Sequence, residues 1–354
     1  METSQSHSAP GWEAIDRALA PLYADQKPKH YGTIVSYRLG GRDPLQGISA
    51  YSRVSPTPHW HFVTFGLSEL YEKESDNPAV SGWGFELTFR LAQKPSETEP
   101  PMWALNFLQN LARYVFNTGN VFSEGHHMNL NGPICLESDT LIRAICFIPD
   151  PELPGIQTQH GSMDFLQVVG ITEAEEMAVQ SWKAMEVLEV LRSRLPLFVT
   201  DVDRSCLTLI DQIAAALRQG TAKDGSNTDS IYTDQISWSS DKSFWGKQRH
   251  EMTLGVLQVR KLLTLLPLRL GFGRSFAVLG KDCSAKFESS DANEIRCEEK
   301  QLQIALSENS LKELLAVLRG EKGDYTFASI GGLTIHVVQN QIRDANGKVV
   351  QTVG

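Results

Sequence analysis

The chain has 354 residues, 41% of them hydrophobic and 21% charged, which matches ordinary globular proteins and excludes collagen-like, coiled-coil and wholly disordered chains. Asp and Glu total 42 against 33 Lys and Arg, a formal charge of −9, whereas a broad phosphate-binding surface needs clustered positive charge, so nucleic acid is not an expected partner. At roughly 100–200 residues per domain, the length predicts two domains or one large domain with insertions.

Five cysteines, Cys135, Cys146, Cys206, Cys283 and Cys297, are scattered without a CxxC pair, so neither a disulfide framework nor a structural zinc site is expected. No basic n-region followed by an apolar core opens the chain, and no run of about 18 apolar residues occurs. The expectation is a cytoplasmic protein with no membrane partner.

Residues 1–10 (METSQSHSAP) read as a flexible start, followed by helical spacing at Trp12, Ile15, Leu19 and Leu22. In YGTIVSYRL (31–39) apolar and polar positions alternate up to Gly40-Gly41, which predicts a strand, and HFVTFGL and GFELTFRL repeat the pattern to begin a mixed sheet. Trp103, Phe107, Leu111 and Tyr114 recur at helical steps until Asn117–Asn120. The apolar runs 141–148 and 164–171 predict interior strands. Thr172 with Glu175 forms a capping box ahead of a helical stripe at Ala178, Trp182, Met185 and Leu188.

From Gln219 to Ser243 the composition turns to Gly, Ser, Asp and Thr, which predicts a linker. Beyond it, 252–258, 262–270, SFAVL and CSAKFE read as strands, LKELLAVLR as a helix and Asn346-Gly347 as a hairpin turn. The expected fold is therefore α+β, with two lobes of mixed sheet packed with helices. The boundaries fall at 11–218, a linker at 219–243, and a smaller domain at 244–354.

Chemistry-bearing motifs are sparse. GxSxG, GxxxxGK[ST], HExxH and a strand–GxGxxG–helix fingerprint do not occur. Gly271-Phe272-Gly273-Arg274 lacks a third glycine and reads as a turn. His59 and His61 project from one strand face, as some metal sites require, but no third ligand is evident, so no metal or cofactor is expected. Glu86 and Arg90, also on one strand face, are expected to pair with each other. Cys206 lacks an assignable histidine partner and reads as a buried thiol.

Several stretches carry a resemblance: YRLGGRDPLQGISAY (37–51), HWHFVTFGLSELY (59–71), SGWGFELTFRL (81–91), LARYVFNTGNVFSEGHH (111–127) and FLQVVGIT (165–172). Together with fainter matches at DGSN, LLPLRLGFGRSF and QLQIALSENSLKELL, the chain resembles the suppressor of fused family along nearly its whole length. The resemblance implies a two-domain scaffold without catalysis, which in animals sequesters Gli-type transcription factors by clamping an extended segment between its lobes. Strand addition is the physical mode implied. Tyr114 matches the family's cleft tyrosine and Leu265 its cleft leucine, while the cleft aspartate that pairs with a ligand histidine falls on His126. An imidazole there removes the charge-assisted partner for a histidine, so a cleft preferring an acidic or hydrogen-bond-accepting side chain is expected.

The lack of the long insertions of animal members resembles bacterial relatives, some regarded as immunity proteins that neutralise toxins. A toxin is then the implied partner, and an acidic surface suits a basic one. Two alternatives stay open: an enzyme in which His59, His61, Glu86 or His126 converge, and a structural protein that self-associates through strand edges.

Overall fold

The protein is described by a computed structural model covering residues 8–24, 26–35, 37–136, 138–242, 248–343 and 349–354. Most of the expected flexible start and the Asn346-Gly347 turn lie outside the described residues. The chain forms two compact units, Met1–Met177 with Ala184–Ala214, and Ala178–Lys183 with Ala215–Gly354.

In chain order the first unit contains α1 (Pro10–Tyr23), β1 (Lys29–Gly32), β2 (Gly47–Arg53), β3 (His59–Phe65), β4 (Val80–Ala92), α2 (Met102–Thr118), β5 (His127–Asn129), β6 (Ile142–Pro149), β7 (Ile156–Thr158) and β8 (Gly161–Thr172). The helices α3 (Glu173–Ser181), α4 (Ala184–Leu191) and α5 (Asp211–Asp224) follow, the last carrying the chain into the second unit. The strands form one mixed sheet in the order β1-β2-β3-β4-β8-β6-β5, with β7 paired to β8. Only β4 and β8 run parallel within it.

Strand alternation decides what each sheet face holds. Phe85, Leu87, Phe89 and Leu91 of β4 face α2 and share a core with its Leu105, Leu108, Leu111 and Val115. Each such side chain stabilises the fold by about 1.5–3 kcal/mol when fully buried. The intervening Glu86, Thr88 and Arg90 point to the opposite face. There α1 lays Ile15, Leu19 and Tyr23 against Val63, Phe65 and Phe165. Both faces are thus covered, and a row of polar side chains is interior.

The second unit contains β9 (Ser230–Tyr232), β10 (Ile236–Lys242), β11 (Gln248–Gly255), α6 (Val256–Leu270), β12 (Phe276–Leu279), β13 (Ser284–Ser289), β14 (Glu294–Glu298), β15 (Gln301–Leu306), α7 (Glu308–Val317), β16 (Gly323–Thr326), β17 (Leu333–Val338), β18 (Asn340–Arg343) and β19 (Val349–Val353). Its described strands form sheets in the orders β10-β11-β17-β16 and β14-β15-β13-β12-β9, with β18 and β19 as a separate pair. The buried side of α6 joins both larger sheets in one core through Leu262, Leu265 and Leu266.

Four expectations need correction. Residues 33–35 and 37–39 are not strand: β1 ends at Gly32 and a short helical turn spans Tyr37–Leu39, because the alternating apolar residues there have no core to face and Ile34 is fully exposed. Residues 262–270 are helix, with Val256, Val259, Leu262, Leu266 and Leu270 buried at three- and four-residue steps that the leucine-rich composition obscures. The stripe after Thr172 divides at Trp182-Lys183, where Asn227 N donates to the Trp182 carbonyl (2.8 Å) and the Trp182 indole donates to Asp224 (2.9 Å). The polar stretch from Gln219 is occupied by α5, β9 and β10 rather than by a bare connection. The capping box itself is formed, with Thr172 N donating to Glu175 Oε2 at 2.9 Å and Glu175 N to Thr172 Oγ1 at 3.3 Å.

Seating α1 requires a glycine. Gly11 N donates to the Leu70 carbonyl (3.0 Å), and a Cβ at Gly11 would fall 2.0 Å from Glu69 O. Gly11→Ala is expected to destabilise the protein by about 1–3 kcal/mol, seen as a lower urea midpoint at unchanged slope; a wild-type midpoint would show that α1 contributes nothing to the first unit.

Candidate functional site

On the α1 face of the first sheet, the interior row is organised by Asp150, at the end of β6. Its carboxylate accepts hydrogen bonds from Thr88 Oγ1 (2.6 Å), Arg90 Nη1 (2.6 Å) and Nη2 (3.0 Å), and the amides of Glu152 (2.8 Å) and Leu153 (3.1 Å). Arg90 also reaches Glu152 (3.0 Å) and Gln167, while Gln167 donates to the carbonyls of Leu197 and Phe198. Burial opposes the Asp150 charge, but the contacts with His61 and Arg90 hold its carboxyl well below the usual carboxylate range.

His61 completes the row. Its Nδ1 lies 2.6 Å from the Tyr23 hydroxyl and its Nε2 3.3 Å from Asp150 Oδ2, a contact too poorly aligned to count as a good hydrogen bond. Burial and the neighbouring Arg90 cation push the imidazole down to about 4, so it is neutral at pH 7, and burial pushes the Tyr23 hydroxyl up to about 12. The phenol therefore donates and the imidazole Nδ1 accepts. His59 is fully buried too, its Nδ1–H donating to Thr57 O at 2.7 Å.

Glu86 and Arg90 do not pair with each other. Four residues along a strand span about 13 Å, too far for a direct contact. Glu86 instead accepts from Thr64 Oγ1, Gly66 N, Ser68 N and Ser68 Oγ. These side chains lock the fold together, and among the described residues no group of three His, Cys, Asp or Glu is placed to hold a metal ion.

A different kind of site lies at the far edge of the sheet. On α2, Tyr114 stacks on Phe122 with centroids 5.5 Å apart, and Phe122 stacks on Phe147 of β6 at 4.1 Å. β5 borders this stack and pairs only with β6 among the described residues, so its other side is an open edge. Phe147 N donates to His126 O and Leu130 N to Arg143 O, both toward β6 (2.9 Å each). Antiparallel alternation then directs the main-chain groups of His127 and Asn129 to the open side. A nearby cavity of about 460 Å³ includes Phe122, Glu124 and Asp164 in its wall.

Tyr114 is half-buried and stacks on Phe122, whereas His126 is exposed and its main-chain oxygen accepts from Phe147 N. Leu265 belongs to the core of the second unit and is wholly buried, so it presents no exposed surface. Sequence reasoning missed Phe122 and Phe147; the aromatic spacing Phe116, Phe122 was the available signal. It also missed Asp150, which no local pattern marks. Cys206 rests against Thr172 Oγ1 (3.2 Å) and Thr208 Oγ1 (3.0 Å).

A mixed sheet with helices on both faces thus carries an open short edge strand with an aromatic stack beside it, the geometry on which strand addition operates. The sequence model of the suppressor of fused protein (SUFU) matches residues 41–205. The chain is 36% identical over 240 residues to the suppressor of fused homologs of Homo sapiens and Mus musculus, an alignment covering 62% of this chain and 49% of each relative. It therefore spans about half the length of these relatives. The crystal structure of Drosophila suppressor of fused superposes with a TM-score of 0.77 at 22% identity, covering 93% of this chain and 97% of that one, which shows a shared fold. The suppressor of fused chain of the Sufu–Fu complex superposes with a TM-score of 0.56 at 31% identity, covering 59% and 98%. This chain belongs to the suppressor of fused family.

Because His61 titrates near 4 when folded and near 6.5 when unfolded, the unfolded chain binds more protons between those values, and stability falls as pH drops through that window. His61→Gln is expected to remove about 3 kcal/mol of the loss between pH 7 and pH 4, measured by urea unfolding across that range. An unchanged slope would assign the titration to another group.

Proposed function

We propose that this protein is a non-enzymatic scaffold that holds an extended segment of another polypeptide. The observation that carries the reading is the open edge of β5 beside the Tyr114–Phe122–Phe147 stack. Main-chain hydrogen bonds to His127 and Asn129 would supply affinity, and the aromatic stack would supply apolar contact. The Sufu–Fu complex, in which a relative meets a protein partner, supports the same class of function.

His126 sets the preference. It stands where the family pattern places an aspartate, so the imidazole would favour a carboxylate or carbonyl of the bound segment over a histidine. The chain's charge of −9 favours a basic partner overall, as an immunity protein covering a basic toxin would need. Gli-type ligands, by the same argument, are disfavoured.

Affinity capture from the source cell with the wild-type chain is expected to recover one polypeptide, lost with Tyr114→Asp and retained with Tyr114→Phe. Recovery that ignores both substitutions would overturn the reading. On the captured segment, His126→Asp is expected to weaken binding by about tenfold where an acidic residue meets this position; equal binding would remove His126 from the site.

A further inference from the structure

The first sheet ends in β5 at one side and in β1 at the other. Beside β1, the helix α1 and the strands β1 and β2 flank a cavity of about 340 Å³, a size in the range of small-ligand sites. It shares no described lining residue with the cavity near β5. Helix α1 contributes Trp12, Asp16, Leu19 and Tyr23 to the wall, and the strands contribute His30 and Tyr51.

The aromatic part of the wall is held in place before any ligand arrives. Trp12 stacks on Phe65 at 4.4 Å and meets the His30 ring edge-on at 5.3 Å. Tyr23 stacks on Tyr51 at 3.9 Å. The Tyr23 hydroxyl is committed to His61 (2.6 Å), and Ser49 Oγ, also in the wall, lies 3.0 Å from His30 Nδ1. Rings fixed in this way need little ordering when a ligand enters, which lowers the cost of binding.

The charge of the wall comes from one group. Asp16 sits at the surface, where neighbouring protein atoms push its carboxyl up from the usual value while Trp12 and His30 pull it down; no Lys or Arg is among these groups. Burial lowers the His30 imidazole from its usual value, so it is neutral at pH 7. None of the described lining residues is Lys or Arg. Arg53 lies over Tyr23 at 5.5 Å, but it is outside the wall and paired with Glu152 at 3.1 Å. The cavity therefore joins aromatic surface to a carboxylate that has no cation of its own.

We infer that this cavity binds a trimethylammonium group, its methyls against Trp12, Tyr23 and Tyr51 and its charge facing Asp16. A cation gains from aromatic surface once it sheds its water, and a quaternary ammonium sheds it readily because it has no N–H to leave unpaired. A primary ammonium would bring three donors to a wall whose Tyr23 and Ser49 hydroxyls are already engaged. The inference does not rest on the β5 edge.

The test is an NMR titration of the ¹⁵N-tryptophan-labelled full chain with choline, with ethanolamine, and with the neutral isostere dimethylbutanol, in which carbon replaces nitrogen. The Trp12 indole signal, assigned by its loss in Trp12→Phe, is expected to move saturably with choline and about tenfold more weakly with either control. Asp16→Asn should weaken the choline response several-fold at an unchanged unfolding midpoint, and Tyr114→Asp should leave it intact. An unmoved Trp12 signal, equal responses to choline and either control, or a full response in Asp16→Asn would overturn the site. A parallel titration with N-acetyl-trimethyllysine methylamide separates the sources of the group. Binding tighter than choline supports the site as one for a polypeptide side chain, and weaker binding supports it as one for a free small cation.

Discussion

The first unit depends on a carboxylate and a guanidinium buried together, Asp150 and Arg90, with no solvent to share their charge. Removing one member of such a pair costs about 3–5 kcal/mol, because the other is left uncompensated in a poorly polarisable interior. The pair is supported by partners on several elements, Thr88 on β4, Gln167 on β8 and main-chain amides following β6, while Arg90 Nε has no hydrogen-bond partner among the described residues. His61 stays neutral between Asp150 and Tyr23 and so ties α1 to the sheet without adding a charge.

Polar residues of catalytic types serve here as internal structure. A general acid or base needs access to a reacting atom, whereas His59, His61, Glu86 and Arg90 are fully enclosed and engaged in structural contacts. Their product is rigidity. A stiff sheet presents the short β5 edge and the aromatic stack in fixed positions, which lowers the ordering cost of adding a strand.

The sequence revealed those parts of the fold whose period matched their burial. β3, β4, β6 and β8 alternate or run apolar because both sheet faces are covered, and α2 shows its stripe because one side alone meets the core. It misled where period and burial part company: at 31–39, alternation without a core to face, and at 262–270, a leucine run too uniform to show its helical step. The Glu86–Arg90 expectation judged the face rightly and the distance wrongly. Asp150 was illegible because its partners lie about 60 residues away in the chain, and no local pattern encodes such a contact. Of the candidate contact residues, Tyr114 stacks on Phe122, His126 is exposed just ahead of β5, and Leu265 is spent on core packing.

The central claim is that binding occurs by main-chain pairing at an open strand edge. Amide hydrogen exchange of the full chain, with and without its captured polypeptide, reads this most directly. The account predicts slowed exchange at His127 and Asn129 on binding, with the already protected amides of β3 and β4 unchanged. Unaltered exchange across 127–129 in a saturated complex would contradict it.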